Sequence, residues 1–191
     1  MTDKSVPKIA VRLMAIALIQ TFVLSWMVWD RAILLREGRE VRLAVVPVDP
    51  RDLLRGDYVI LSFNISRIDT LQIDVDRRFS RGNPIYVGLA KSENGQWDVI
   101  SATHQRPQVN SDIVFIKGKV TSVSKSQNAS QLLTIKYGME KYFIPEGDGP
   151  RLEKLRSEKI LSIVAAISDS GEAGIKALLV RGEPVYEETI F

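Results

Sequence analysis

The chain has 191 residues, 45% of them hydrophobic, which is enough for one domain of moderate core size and a short additional segment. Its 26 basic and 23 acidic residues give a formal net charge of +3 without a basic stripe interleaved with aromatics, so no nucleic-acid partner is expected. The absence of cysteine excludes disulfides and thiolate sites, and the single histidine, His104, excludes the usual zinc constellations, so we predict no metal and no cofactor.

The first element is an apolar segment, Ile9 to Trp29, whose one charge is Arg12. A helix of this length spans roughly 30 Å, the thickness of the hydrocarbon core of a bilayer. We therefore predict a single transmembrane helix at residues 9–30, whose Gln20 face is suited to contact another membrane helix. A cleavable signal peptide is the alternative, because the preceding tail is basic, although no small-residue cleavage site follows.

The orientation of this helix follows from its flanks. The tail before it is short and basic, and long domains cross membranes largely regardless of their own charge. We predict a cytoplasmic tail at 1–8, a helical connector at 31–40 that stops near Gly38, and an extracytoplasmic β domain at 41–191. The protein would then lie in the inner or cytoplasmic membrane, with its domain in the periplasm.

Short apolar stretches separated by turn residues fill the rest of the chain. They lie at 41–46, 58–65, 71–75, 84–90, 97–102, 112–120, 132–137, 160–167 and 174–180. The Asn94-Gly95 pair between two of these stretches is the strongest hairpin signal. The pattern predicts a mainly β fold, an antiparallel sandwich or partly open barrel with one or two short helices, preceded by the single transmembrane helix.

Three connections complete this prediction. Residues 77–81 are expected to be exposed, because three of the five are arginines. Ser122 to Ser130 is polar and predicts a turn between two paired strands. A short helix is expected after Pro150, since proline is favoured at the first helical position.

A charged corner precedes the 58–65 stretch, and a second polar stretch covers Tyr137 to Pro150. The candidate functional or structural residues of the two stretches are Arg51, Asp52, Arg55, Gly56, Asp57, Tyr58, Glu140, Tyr142 and Glu146. Guanidinium and carboxylate groups on a stiff corner are preorganised for anion recognition, but they can equally pair with one another and cap turns. We predict that the stretches meet, with Arg51 or Arg55 facing Glu140 or Glu146.

Catalysis has weaker support. Glu140 and Glu146 could form a carboxylate pair for acid and base chemistry, or they could be exposed turn carboxylates. No catalytic triad is indicated beside His104, whereas a serine-lysine dyad stays open. We assign no catalytic residue, and the pattern favours a protein that is not an enzyme.

The stretch Gly56-Asp57-Tyr58-Val59-Ile60-Leu61-Ser62-Phe63 resembles the motif that names the bacterial GDYxxLxY family, with phenylalanine in place of the last tyrosine. Val48 to Arg55 and Tyr137 to Gly147 look like the other recognisable segments of that family. The resemblance implies a small membrane-anchored protein, often encoded near polytopic membrane proteins, and implies no established activity. We expect an accessory or interaction domain that acts with a polytopic membrane partner. The alternative is a hydrolase or small-ligand-binding domain with a polar site formed by Arg55, Asp57, Glu140 and Glu146.

Overall fold

The structure is a computed structural model that describes residues 5–46, 58–92, 95–108, 112–125, 130–143, 158 and 160–187. It divides into two compact units, residues 1–33 and residues 34–191. The first unit is helical, and the second is built mainly from β-strands. The predicted fold class, mainly β after one long apolar helix, is confirmed.

Helix α1 (Ser5–Glu37) is long and apolar enough to cross a membrane. Its most apolar 18-residue window has a mean hydropathy of 1.8, and none of that window is buried. A membrane anchor and a signal sequence share these properties. The helix stops where the sequence predicts, because the Gly38 amide donates to the Leu34 carbonyl oxygen at 3.0 Å and β1 begins at the next residue.

Thirteen strands follow in the described part of the chain. They are β1 (Arg39–Val46), β2 (Tyr58–Ile60), β3 (Ser62–Phe63), β4 (Arg67–Asp69), β5 (Asp74–Val75), β6 (Pro84–Lys91), β7 (Trp97–Thr103), β8 (Ile113–Lys125), β9 (Gln131–Lys136), β10 (Lys141–Phe143), β11 (Leu161–Ile167), β12 (Ala173–Val180) and β13 (Glu183–Glu187).

These strands form two large sheets and one ribbon. The five-stranded sheet has the order β13-β12-β11-β1-β3, and the six-stranded sheet has the order β4-β9-β8-β6-β7-β5. Strands β10 and β2 form the two-stranded ribbon. Among the described strands, every pairing is antiparallel except the short one between β5 and β7.

One hydrophobic core lies between the inner faces of the two large sheets. In the five-stranded sheet, Leu43 pairs with Ile163, which pairs with Leu178, and all three side chains are buried. In the six-stranded sheet, Val87 pairs with Ile116, and both are fully buried. Each such side chain stabilises the fold by about 1.5–3 kcal/mol, so the period-two pattern of the sequence fixes which face of each strand is internal.

The two predicted strand pairs are present, and a third pair occurs as well. β6 and β7 form the predicted hairpin, and Gly95 in its turn has a φ of 78°, which suits glycine. β8 pairs with β9, and β11 pairs with β12. β4, β10 and β13 have no counterpart in the sequence prediction. The helix expected after Pro150 lies outside the described residues.

Two predicted boundaries are wrong. The stretch 58–65 is not one strand, because the chain breaks after β2, resumes as β3 and then forms one 3-10 turn at Asn64–Ser66. The Ser66 hydroxyl accepts a hydrogen bond from the Phe63 amide at 3.0 Å, which gives this backbone donor a partner outside the ladder. The expected turn from Ser122 is also wrong at its start, since β8 continues to Lys125 and pairs with β9.

The expected exposure of residues 77–81 is wrong at its centre. Phe79 is 2% exposed, and its ring stacks on His104 with centroids 4.0 Å apart and planes 4° apart. Its amide donates to Oε1 of Gln131 at 2.9 Å, while the flanking Arg78 and Ser80 are exposed. One apolar residue in a polar run can thus hold a loop against the core.

Candidate functional site

The ribbon formed by β2 and β10 joins part of the GDYxxLxY-like motif to the second polar stretch. Val59 pairs with Tyr142 and Ile60 pairs with Lys141 in antiparallel register. The Leu61 amide then donates to the Glu140 carbonyl oxygen at 2.7 Å, beyond the last ladder pair. The strand that carries the end of the GDYxxLxY-like motif is therefore hydrogen-bonded to the segment around Glu140.

The motif strand also contributes to the core. Leu61 and Phe63 are 3% and 1% exposed, and Phe63 pairs with Val45 of β1. Ile60, between them and the corner, is only half-buried. At position 63 an apolar ring is therefore packed in the interior, which explains how phenylalanine can stand where the motif has tyrosine.

Glu140 stabilises the turn before β10. Its carboxylate accepts hydrogen bonds from the Tyr137 amide and, at 3.1 Å, from the Gly138 amide. Gly138 has a φ of 85°, a conformation that side chains rarely adopt, so glycine is required to reverse the chain here. Two backbone amides thus hold the carboxylate that the sequence suggested as a candidate for acid and base chemistry.

Tyr137 is a buried hydrogen-bond donor that sequence reasoning did not single out. It is 6% exposed, and its hydroxyl donates to the Ile65 carbonyl oxygen at 2.7 Å. Burial, with a smaller contribution from the negative charge of Glu140, raises the pKa of Tyr137 well above the ordinary value. The phenol therefore stays neutral and links the 3-10 turn to the end of β9.

Tyr142, one of the predicted site residues, is 7% exposed and belongs to the hydrophobic core. It follows Lys141, which is exposed, as expected from the alternation of a strand. The structure therefore uses Tyr142 mainly for packing beneath the ribbon.

A cleft of about 470 Å³ opens beside the ribbon, where β2 and β3 face the end of β9. It exists because β4 pairs with β9 only through Thr134, so the last part of β9 has no β4 partner. The described residues that line the cleft are Ile60, Leu61, Ser62, Ser66, Thr134, Ile135, Lys136, Gly138, Glu140 and Lys141. Both motif-like segments therefore line one cavity.

The cleft lies over the hydrophobic core and is charged at its rim. Leu61 and Ile135 are 3% and 1% exposed, whereas Lys136 and Lys141 are exposed. The Glu140 carboxylate is engaged by the two turn amides described above. The lining therefore favours a ligand with an apolar body and a negative group.

The charged corner itself lies outside the described residues. This applies to Arg51, Asp52, Arg55, Gly56 and Asp57. It applies also to Glu146 in the second stretch and to the side chain of Tyr58. The predicted contact of the corner with the second stretch, and the pairing of one of its arginines with Glu140 or Glu146, stay predictions. The structure shows that β2, within the motif, pairs with β10.

A second polar cluster surrounds the single histidine. His104 Nδ1 lies 2.9 Å from Oδ1 of Asp76, and the His104 amide donates to Oδ2 of the same carboxylate at 3.1 Å. Burial alone would raise the pKa of Asp76, but the hydrogen bonds and charge of His104 outweigh it, so the pKa is lowered. With Phe79 on its face, His104 joins the 76–79 loop to β7, which is a structural role.

No group of three or more metal-binding side chains occurs in the part of the chain that the structure describes. Among the described residues, the lining of the cleft offers lysines, hydroxyls and one carboxylate, which already accepts hydrogen bonds from two amides. This donor set suits an anion better than a cation.

Together, the apolar helix, the two-sheet domain and the motif-lined cleft define a class of small β-domain proteins with an N-terminal helix able to cross a membrane. The model of the GDYXXLXY protein family matches residues 20–178, and the chain belongs to that family. No curated protein and no solved structure matches the chain.

Proposed function

We propose that this protein is a single-pass, membrane-anchored accessory domain that acts outside the cytoplasm with a polytopic membrane partner. The observation that carries the proposal is the exposure of α1, whose large apolar side chains from Val11 to Trp29 are each 50–69% exposed. Such a surface is stable when lipid or another membrane helix covers it. The anchor keeps the domain at the membrane, where it can bind a polytopic membrane protein.

The arrangement along the chain follows from this proposal. Residues 1–8 form the cytoplasmic tail, 9–30 the membrane span, 31–40 the connector and 41–191 the periplasmic domain. Because Gly38 alone separates α1 from β1, the domain begins directly after the anchor helix. A short connection favours function close to the membrane surface.

The proposed contact with the partner is the polar face of the helix. Thr21 and Ser25 are one helical turn apart, and Gln20 lies beside them. All three are exposed. Small and polar side chains allow membrane helices to approach closely and to form hydrogen bonds between helices.

Site-specific photo-crosslinking tests this contact in intact membranes. A photoreactive residue at Gln20 should give one discrete adduct that contains a polytopic membrane protein. A probe at Ile19, which is exposed and lies at least about 100° around the helix from Gln20, Thr21 and Ser25, is the matched control and should give little of that adduct. Equal adducts at both positions, or none at Gln20, would rule out the proposed face.

A second function, binding of a small ligand, is favoured by the cleft beside the β2-β10 ribbon. Its volume of about 470 Å³ falls within the range of about 300–1,000 Å³ that is typical of ligand pockets. We favour binding over hydrolysis, because the Glu140 carboxylate is already held by two amides.

A further inference from the structure

We propose that the cleft between β3 and the end of β9 binds a free single-chain carboxylate, such as a medium-chain fatty acid. This inference rests on the second proposed function, in which the cleft is a ligand site. It adds the chemical class of the ligand. The ligand would place its chain on the apolar base and its carboxylate at the rim.

The apolar base fits an alkyl chain. Half-buried Ile60 and the methylene stems of Lys136 and Lys141 present apolar surface to the cleft, and the almost fully buried Leu61 and Ile135 lie beneath this surface in the core. None of the described lining residues is aromatic, so these residues offer no ring on which a base or sugar could stack. Flexible methylene groups can fill such a surface without directional contacts.

The rim fits an anion. Lys136 and Lys141 lie at the mouth, and the hydroxyl groups of Ser62 and Thr134 are nearby donors. Glu140 contributes the one acidic side chain among the described lining residues, and the Tyr137 and Gly138 amides offset its charge. A carboxylate at this position would gain charge-assisted hydrogen bonds, whereas an amine would be repelled.

The ligand is a single chain because a cleft of about 470 Å³ is small for the two acyl chains of a bilayer phospholipid. The Tyr137 hydroxyl ties the end of β9 to the 3-10 turn, and the Leu61 amide ties β3 to the turn at Glu140. These two bonds hold the walls at a set separation. A free carboxylate can enter such an opening, while a bilayer phospholipid would have to leave the membrane with two chains.

The experiment uses the full chain in phosphatidylcholine nanodiscs with isotope-labelled isoleucine methyl groups. Decanoate, below its micelle concentration, should cause saturable shifts at Ile60 and Ile135. The core methyl groups of Ile163 should not move. Decanol should bind roughly fivefold more weakly, because it has the same chain without the charge.

Two variants locate the charge contact. Lys136→Gln should weaken decanoate binding roughly fivefold without changing decanol binding. Lys119→Gln is the matched control, since Lys119 is the exposed cross-strand neighbour of Lys136 and does not belong to the described lining of the cleft. Equal loss in both variants, or none in Lys136→Gln, would overturn the carboxylate assignment.

The outcomes separate the ligand class from the site. Equal binding of decanol and decanoate at Ile60 and Ile135 would support the cleft as a ligand site but would overturn the assignment of a carboxylate as its ligand. If neither compound shifts these methyl groups, the cleft is not a ligand site and the second proposed function fails. If phosphatidylglycerol nanodiscs alone produce the decanoate shifts, a bilayer lipid is the ligand and the free acid is excluded.

Discussion

The backbone amide of Leu61 donates a hydrogen bond to the carbonyl oxygen of Glu140 at 2.7 Å. This bond joins the two segments that carry the family resemblance, which are far apart in the chain. It continues the β2-β10 ribbon by one residue and forms one wall of the cleft. The motif therefore connects two distant segments of the chain and also lines a cavity.

The turn before β10 should depend on the Glu140 carboxylate. Glu140→Ala removes the acceptor of two amides and should lower the free energy of unfolding by about 1–3 kcal/mol, whereas Glu140→Gln keeps one oxygen and should cost less. Urea denaturation of the full chain in detergent measures both. Glu172→Ala, at an exposed glutamate, is the control. Full stability in Glu140→Ala would leave a catalytic or binding role as the better explanation.

The Tyr137 hydroxyl should stabilise the domain. Tyr137→Phe leaves the buried Ile65 carbonyl oxygen without this donor, at a cost of about 1–3 kcal/mol. Tyr86→Phe, at a half-buried tyrosine of β6, is the comparison and should cost less. Equal costs in denaturation experiments would argue against the bond to Ile65.

Tyr137 should also make the domain less stable at alkaline pH. Its pKa is raised in the folded state, so its contribution is complete below about pH 10 and is lost as the pH rises toward the folded pKa. Denaturation between pH 9 and pH 11 should show a steeper loss for the native chain than for Tyr137→Phe. Parallel curves would show that the phenol ionises alike in both states.

Asp76 should make the stability of the domain depend on pH in the acid range. Its pKa is lowered by His104, so its contribution is present above about pH 4, its unfolded value, and is lost as the pH falls through the folded pKa. The difference in stability between the native chain and Asp76→Asn should therefore shrink from pH 5 to pH 3. Asp98→Asn, at an exposed aspartate of β7, controls for general charge effects. A constant difference would mean that the pairing does not change the pKa.

Gly118 should be required by close packing. A β-carbon there would lie 2.6 Å from Cγ2 of Ile135, closer than real contacts allow, and 3.0 Å from the Tyr137 ring, which is also tight. Gly118→Ala should destabilise the domain by about 1–3 kcal/mol and disturb the Tyr137 bond. Ser124→Ala, on the exposed part of the same strand, should be nearly neutral. A stable Gly118→Ala would show that β9 can move away.

The absence of cysteine permits a direct test of topology. In intact cells with a permeabilised outer membrane, an impermeant maleimide should label Ser122→Cys, because Ser122 is exposed on β8. Thr2→Cys should be labelled only after the inner membrane is opened. The reverse pattern would place the domain in the cytoplasm, and loss of residue 2 from the mature protein would identify a cleaved signal sequence.

The sequence by itself determined the local elements. Near-continuous hydrophobicity predicted α1, Gly38 predicted its end, and Asn94-Gly95 predicted the hairpin, because each depends on neighbouring residues only. The alternation of Leu61, Phe63 and Ile65 likewise identified their buried face. The family resemblance also depended on short segments that can be read directly along the chain.

Only the tertiary structure decided how distant residues are used. The burial of Phe79 depends on a stack with His104, and the partner of Tyr137 is a carbonyl oxygen on another element. The pairing of β1 with β11 and the gap beside β9 also depend on long-range contacts. Hydrophobic period fixes the face of a strand but not its neighbour in a sheet, so the cleft could not be foreseen from the sequence.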